Sequence, residues 1–401
     1  MRRLVVLVSA IVFVDAMLFG ALVPLIPGYA DEFGLSKASA GLLVGAFGAG
    51  ALLGGIPGGI AATRYGPRRA VLAGLLLLAV ASFAFSLSSS PWTLGLSRFV
   101  QGCSSTVTWA GALAWLTVVA PRARRGELIG TAFGFAVLGA ILGPLFGSVA
   151  HVVSIEAMFA GTGVVALALT AWTGLSAEPP CEEQQPGGIR RSFADRRFLG
   201  GLWLNALPAM LFGLLGLLAP LRLDAGGVGA LGIGVVFFSA GLAETALNPI
   251  VGRFSDRRGR LLPTRIALAA STVVACGLAF AGQPALVIPL VACAAIAFGG
   301  FYTPGMALVS DRAEAVGLAQ GMAFGIMNSA WASGNLTGPV VGGALANAFD
   351  DTVPYLVGGA LCLATLVATL KIRPLRRAAD AVDSAPAPSP NPVGGGGSPP
   401  R

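Results

Sequence analysis

Three ionisable side chains sit where such groups are rare. Asp15, Arg98 and Glu244 each lie deep inside an apolar run of about twenty residues or more. The chain has 18 acidic residues, and only Asp15 and Glu244 are so placed; the others fall in loops, at run ends or in the tail. Asp15 is about eleven residues into its run, roughly 16 Å along a helix axis, and Glu244 is roughly 12 Å from the nearer end of its own. A carboxylate at the centre of a bilayer costs about 2.5–3.5 kcal/mol on insertion scales. Stripped of water, such a group becomes one that can bind and release a proton. Arg98 is the one basic residue deep in a run, and a guanidinium keeps its proton. It can instead pair with a carboxylate or bond backbone carbonyls of the first run. The chemistry expected is proton coupling by Asp15, Arg98 and Glu244, with Arg98 changing partners when Asp15 protonates. The single histidine, His151, stands at the end of a run, so protons have to travel on carboxylates and water.

The runs that carry these groups dominate the chain. Of 401 residues, 55% are hydrophobic and 11% charged, against roughly 25% charged in soluble domains. No aqueous core could hide that much apolar surface, whereas a bilayer accepts it. Candidate spans are 4–27, 38–62, 69–88, 91–119, 127–150 and 153–175, then 198–221, 229–251, 262–281, 284–309, 317–347 and 352–372. This predicts an all-α membrane protein of twelve transmembrane helices. A polar stretch, 176–197, separates the two sets of six, and a tail over 376–401, rich in Pro, Ser and Gly, is expected to be disordered. The opening Met1-Arg2-Arg3 and apolar run resemble a signal peptide, but Asp15 interrupts the run and eleven similar segments follow, so no cleavage is expected. The cysteines number five, four inside apolar runs and Cys181 in the polar stretch, and no disulfides are expected.

Charge tests the count. With an even number of spans, 22 of the 26 basic residues share one side, among them Arg64, Arg68, Arg69, Arg190, Arg191, Arg196, Arg197, Arg257, Arg260 and Arg312. The other side holds only Lys37 and Arg222. The positive-inside rule then places both termini and the 176–197 stretch in the cytoplasm. It also accounts for the net charge of +8 without a nucleic-acid partner.

The two sets of six repeat each other. The loop Gly59–Arg69 after span 2 corresponds to Gly252–Arg260 after span 8. Gly130 to Gly134 corresponds to Gly321 to Gly325. Gly139, Gly143, Pro144 and Gly147 of span 5 correspond to Gly334, Gly338, Pro339 and Gly342 of span 11. Matches in register imply a duplicated six-span unit, 1–175 and 198–375, giving two pseudo-symmetric halves. Transporters built this way hold substrate near midplane between the halves.

On these residues the chain resembles the major facilitator superfamily across 1–375. The superfamily's loop signature is complete at Gly252, Asp256, Arg257, Gly259 and Arg260. In the first half Gly59, Arg64, Gly66, Arg68 and Arg69 match, with Thr63 where the family usually has Asp. Leu94, Arg98, Gln101 and Gly102 resemble its intramembrane arginine motif, and the glycine–proline pattern of span 5 resembles that of proton-driven antiporters. Asp15 with Val23, Pro24, Pro27 and Tyr29 is similar to the first helix of vesicular monoamine transporters and their bacterial drug:proton relatives. The resemblance implies export of a small amphiphilic or cationic compound in exchange for protons. The protein is expected to be a monomeric, multi-pass protein of a cell membrane, bacterial by its Arg-rich, Lys-poor usage of 24 against 2. The loops would act as gating latches, weaker in the first half because Thr63 carries no charge. The glycines and prolines would make spans 5 and 11 close-packed, flexing helices between the halves. The monoamine transporters carry acids in spans 10 and 11; here those spans have none, so monoamine specificity does not carry over.

Candidates for the cavity wall are Asn205, Phe301, Tyr302, Asn328 and Trp331, since aromatics can hold a cation over a ring face. Two other readings stand beside the exporter: an importer or facilitator of sugars or metabolites on the same fold, and a membrane-embedded enzyme or sensor. No nucleotide loop, metal cluster, cofactor motif or nucleophile–base pair is visible to support the last.

Overall fold

In the computed structural model, residues 2–121, 124–178, 189–258, 261–318 and 320–371 are described, excepting the side chains of 125–126, 248–249, 251–252, 254–258 and 320–321. The helices are α1 (Arg2–Ala21), α2 (Ile26–Glu32), α3 (Lys37–Arg64), α4 (Pro67–Ser86), α5 (Pro91–Val119), α6 (Arg125–Val153) and α7 (Ile155–Leu175). After a short α8 (Ile189–Ala194) come α9 (Arg196–Ala225), α10 (Ala230–Arg258), α11 (Leu261–Phe280), α12 (Pro284–Gly299), α13 (Tyr302–Ala315), α14 (Gln320–Ala348) and α15 (Thr352–Leu370). The tail from 372, residues 179–188, and Gly259 and Arg260 lie outside the described residues.

Eleven segments among the described residues are long and apolar enough to cross a bilayer. The twelfth, α14, has 29 residues but not the apolarity. Asn328, Ser329, Ser333, Asn335 and Thr337 interrupt it. Its position explains this: α14 is wedged between α3 and α9, and Gly334, Asn335 and Gly338 are buried there against protein.

Two spans read as continuous are broken. Span 1 ends its α-helix at Ala21, passes through a 3-10 turn at Val23–Leu25 and resumes as α2. Pro24 and Pro27 supply no N–H to an α-helical ladder, which forces the change of winding. Span 10 breaks between Gly299 and Tyr302, where Pro304 has no N–H for the carbonyl of Gly300 and the glycines favour irregular backbone. The stretch 176–197 contains the short helix α8 and the N-cap of α9, where Asp195 accepts from the backbone N–H of Arg197 at 2.8 Å and of Phe198 at 3.4 Å.

Within the first six spans, α1 packs on α6, α3 on α5, and α4 on α5 and α7. Within the last six, α9 packs on α14 and α13, α11 on α15, and α10 on α12. Contacts between the two groups run chiefly through α3 with α14 and α6 with α10. At the arginine-poor end these contacts are tight: a Cβ on Gly41 would strike Pro339 O, and one on Gly48 would lie 2.6 Å from Leu336 N. Ser148 of α6 donates to Ala230 O of α10 at 2.8 Å. Toward the arginine-rich end, Gly130 and Gly134 of α6 and Gly325 of α14 meet no atom within 4 Å.

Candidate functional site

The polar groups inside the bundle converge on α5. Its buried residues include Ser97, Arg98, Gln101, Ser104, Ser105 and Thr108, a helical stripe at three- and four-residue spacing turned away from lipid. Ser104 donates to Gly74 O of α4 at 2.8 Å.

Asp15 of α1 faces this stripe and is 4% exposed. Its Oδ2 accepts from Ser105 Oγ at 2.7 Å and from Trp109 Nε1 at 2.8 Å. Both donors stand on one face of α5, four residues apart. Oδ1 accepts no bond among the described residues, so one oxygen of the carboxyl is held and the other is not. The Trp109 ring lies 5.3 Å from that of Phe133.

Arg98, 2% exposed, stands about two turns further along α5. Its Nη1 donates to Leu18 O at 3.0 Å and Gln101 Oε1 at 2.9 Å, and Nη2 to Phe19 O at 3.3 Å. These carbonyls belong to the last turn of α1, just before the break. Carbonyls of a last helical turn lack partners within their own helix, and in a bilayer no water replaces them. Arg98 supplies the donors. It forms no ion pair with Asp15 within 4 Å among the described residues; the two act on the same helix, one at the carboxyl and one at the backbone a turn beyond.

The guanidinium also lies 5.0 Å from the Phe47 ring centroid. Phe47 meets Phe19 at 5.0 Å, and Phe19 meets Trp331 of α14 at 5.4 Å. An aromatic bridge thus connects the arginine to the opposite set of spans.

Glu244 of α10 is half-buried, and its carboxyl lies against Gly299 where span 10 breaks. It forms no hydrogen bond or ion pair among the described residues. Tyr302, half-buried, opens α13 beside it. Asn205 and Phe301 are fully buried. Asn205 donates to Gly201 O of its own helix at 2.9 Å and packs on Gly305 of α13, so neither residue presents surface to a ligand in this state. Asn328 and Trp331 are half-buried on α14.

The glycine stripes of span 5 and span 11 have equivalent neighbours. A Cβ on Gly139, Gly143 or Gly147 would collide with backbone oxygens of Phe13, Met17 or Ala21 in α1. One on Gly334 or Gly338 would collide with those of Ala206 or Met210 in α9, and one on Gly342 with the Leu214 side chain. Each stripe clasps the first helix of its own set, while other faces of α6 and α14 meet α10 and α3. Pro144 and Pro339 lie within these uninterrupted helices.

Of the loop residues, Gly66 has φ +90°, which favours glycine at the tight turn before Pro67. Arg64 stacks on Tyr65 at 5.7 Å, and Gly59 meets no atom within 4 Å. Thr63 donates to Gly59 O and Ile60 O of its own helix. Arg68 Nε donates to Thr173 O at 3.1 Å and its Nη2 to Gly174 O, tying α4 to the end of α7. Arg265 Nη2 makes the corresponding bond to Thr369 O at 2.5 Å, tying α11 to α15. In the second loop Gly252, Asp256 and Arg257 are helical with side chains outside the described residues, as are Gly259 and Arg260 altogether.

Sequence reasoning missed Ser105, Trp109 and a cluster at the arginine-poor end. There Lys37 Nζ donates to Asp351 Oδ1 at 2.6 Å, and Arg222 Nε to Asp351 Oδ2 at 3.0 Å. Arg222 also donates to Ala281 O at 3.2 Å and lies 5.0 Å from the Tyr355 ring centroid. Lys37 begins α3, so the cluster bridges the two sets of spans. The i, i+3, i+7 polar stripe of α5 was the signal available for Ser105; nothing local marks the cluster.

The family model of the Major Facilitator Superfamily matches residues 8–324. Curated relatives include the MFS-type transporter ppzB of Metarhizium rileyi (strain RCEF 4871), 32% identical over 160 residues, which cover 38% of this chain and 33% of that one. The quinolone resistance protein NorA of Staphylococcus aureus (strain MRSA252) is 29% identical over 136 residues, covering 34% and 35%. The chain therefore spans about a third of the length of the curated relatives it matches. Among solved structures, a bacterial homolog of the human lysosomal transporter Spinster, inward-facing and unoccupied, aligns with TM-score 0.73 at 16% identity over 92% of this chain and 94% of that one. The nucleoside transporter NupG aligns with TM-score 0.73 at 14% identity over 92% and 99%. The human organic anion transporter MFSD10 aligns with TM-score 0.70 at 18% identity over 92% and 99%. These likenesses concern the fold.

Proposed function

Because the chain belongs to the major facilitator superfamily and is a multi-pass membrane transporter, we propose that it is a proton-coupled antiporter exporting small amphiphilic or cationic compounds by alternating access. One observation carries the reading: Asp15 is a buried carboxyl with one oxygen bonded to Ser105 and Trp109 and the other unbonded among the described residues, on the helix whose end Arg98 holds. A proton arriving at Asp15 removes the charge that Ser105 and Trp109 bind. That loosens α1 from α5 at one point and shifts the load onto the Arg98–Leu18 and Arg98–Phe19 bonds a turn beyond. Protonation and helix position are thereby linked.

The halves 1–175 and 198–375 rock about α3–α14 and α6–α10, with the 176–197 stretch as linker. Glu244, without a hydrogen-bond or ion-pair partner among the described residues and beside the break in span 10, is the second coupling carboxyl. Tyr302, Asn328 and Trp331, all half-buried, are the residues proposed to line the path. The loops around Gly59–Arg69 and Gly252–Arg260 act as latches at the cytoplasmic side, where the charge split also puts both termini of a protein of the bacterial plasma membrane. The partial similarity to NorA favours efflux of an amphiphilic compound over uptake of a sugar.

The test is substrate-triggered proton release from purified protein in weakly buffered detergent, using a panel of cationic amphiphiles. Wild type is expected to release protons on binding, and Asp15→Asn to bind and release fewer. Binding without release in wild type refutes antiport.

A further inference from the structure

The mechanism leaves unused a basic cleft at the arginine-rich end. It is an open depression of about 550 Å³ lined by Arg191, Ala194, Asp195, Arg196, Arg197 and Arg312. Its one acid is already engaged: Asp195 Oδ2 accepts from Arg312 Nε at 2.8 Å and Nη2 at 2.5 Å, while its Oδ1 caps α9. Arg191, Arg196 and Arg197 are exposed, and their guanidinium groups make no hydrogen bond or ion pair among the described residues. Among the described residues no acid pairs with these three cations, and an anion seated in the depression would relieve their mutual repulsion.

The surroundings identify which anion. Ile189 and Phe193 of α8 are exposed apolar residues, 37% and 50% accessible, and Leu199 and Trp203 of α9, each 41% accessible, continue the apolar surface one and two turns inside the span. Arg196 and Arg197 begin that span. The cleft therefore lies at the boundary between aqueous and hydrocarbon layers, with apolar side chains beside and below it. A soluble phosphate has no use for those side chains, whereas an anionic phospholipid places its phosphodiester among the arginines and its acyl chains along Leu199 and Trp203. Guanidinium forks match phosphate oxygens, and basic pockets at this depth are the chemistry that holds acidic headgroups.

We propose that the cleft formed by Arg191, Arg196, Arg197 and Arg312 is a binding site for the headgroup of an anionic phospholipid, which pins α8 to the base of α9 and α13. Because α13, which carries Arg312, is the second half of the broken span 10, an occupied cleft couples the lipid environment to that helix. The site stands whether or not protons are exchanged.

Native mass spectrometry of the purified full chain tests this, with dioleoylphosphatidylglycerol, dioleoylphosphatidylcholine and inorganic phosphate as separate probes. Wild type is expected to retain phosphatidylglycerol, and Arg191→Gln/Arg196→Gln/Arg197→Gln to bind it on the order of a hundredfold more weakly, given about 1 kcal/mol per basic residue near an anionic surface. A control, Arg64→Gln/Arg69→Gln, removes arginines from the same end elsewhere and is expected to retain phosphatidylglycerol as wild type does, whatever its effect on transport. Thermal melting checks that both variants are folded, and Arg→Lys changes at the three positions, which keep charge, are expected to restore part of the affinity. The proposal is overturned if the triple variant retains phosphatidylglycerol like wild type, if phosphatidylcholine binds equally, or if inorganic phosphate displaces the lipid completely at millimolar concentration.

Discussion

Arg98 Nη1 donates to Leu18 O at 3.0 Å across the contact between α5 and α1. The bond is made to the backbone, so its strength is insensitive to the side chain at position 18 and sensitive to where α1 ends. An arginine that reads a helix end reports the position of that helix, which is what a coupling element requires. Replacing Arg98 with Gln, which keeps one donor group but cannot span both carbonyls, is expected to reduce stability by about 1–2 kcal/mol, the scale of interhelical bonds in membranes. Transport should fall while cationic ligands still bind. Thermal unfolding in detergent and a ligand-binding isotherm separate these effects, and retention of full transport removes Arg98 from the mechanism.

Trp109 contributes an N–H to Asp15 and a ring to Phe133. Trp109→Phe keeps the ring contact and deletes the donor. The expected outcome is a folded protein whose substrate binding is nearly unchanged and whose proton-to-substrate ratio falls below that of wild type. Ser105→Ala should act in the same direction. Simultaneous pH and substrate flux traces in proteoliposomes give the ratio directly.

Asp351 holds Lys37 of one set of spans and Arg222 of the other. Lys37 is partly exposed, so the cross-set bond is worth at most about 1 kcal/mol, or roughly a fivefold change in a two-state population. Asp351→Asn is expected to shift the protein by that factor toward the state open at the arginine-poor end. Spin labels at positions 34 and 227 would show a larger population of long distances. An unchanged distribution means the bridge does not hold the ends together.

Gly143 packs on the backbone of Met17, and Gly130 on nothing within 4 Å. Gly143→Leu should therefore prevent α6 from clasping α1 and abolish folded protein, as overpacking against backbone does. Gly130→Ala should leave yield and melting temperature unchanged. Size-exclusion profiles of the two variants decide the matter.

Asp195 provides a pH prediction with a definite sign. Partial burial pushes its carboxyl up, but the Arg312 side chain and the N–H groups of Arg197 and Phe198 outweigh it and hold the group below the usual carboxylate value of 3.8. A depressed folded value means the stabilisation is fully present above the unfolded value and is lost as pH falls through the folded one. The α9–α13 contact should thus be insensitive to pH from 5 to 8 and weaken only in stronger acid. Asp195→Asn should flatten the acid limb of the melting curve and leave the neutral region parallel to wild type.

What the sequence made legible follows from the solvent. In a bilayer each charge inside a span is conspicuous, so Asp15, Arg98 and Glu244 could be picked out one by one, and the alternation of arginines counted the spans. The repeat made Gly139 and Gly334 equivalent positions, and each packs on the first helix of its own set. The rest depends on rotation and register between helices that are distant in the chain. Ser105 and Trp109 are ordinary residues until α1 brings a carboxyl to their face. Lys37 and Asp351 lie at opposite ends of the chain, and neither looks unusual alone. The break at Val23–Leu25 was signalled by Pro24 and Pro27, yet apolarity runs through it, and a hydropathy reading sees only apolarity.

The central claim is that Asp15 carries the coupling proton. Reconstituted protein with an imposed proton gradient measures it: accumulation of a cationic amphiphile against its own gradient, for wild type and for Asp15→Asn. Wild type should accumulate the compound only while the gradient lasts. Asp15→Asn should exchange compound across the membrane at a similar rate but accumulate none. Gradient-driven accumulation by Asp15→Asn would contradict the account and transfer the role to Glu244.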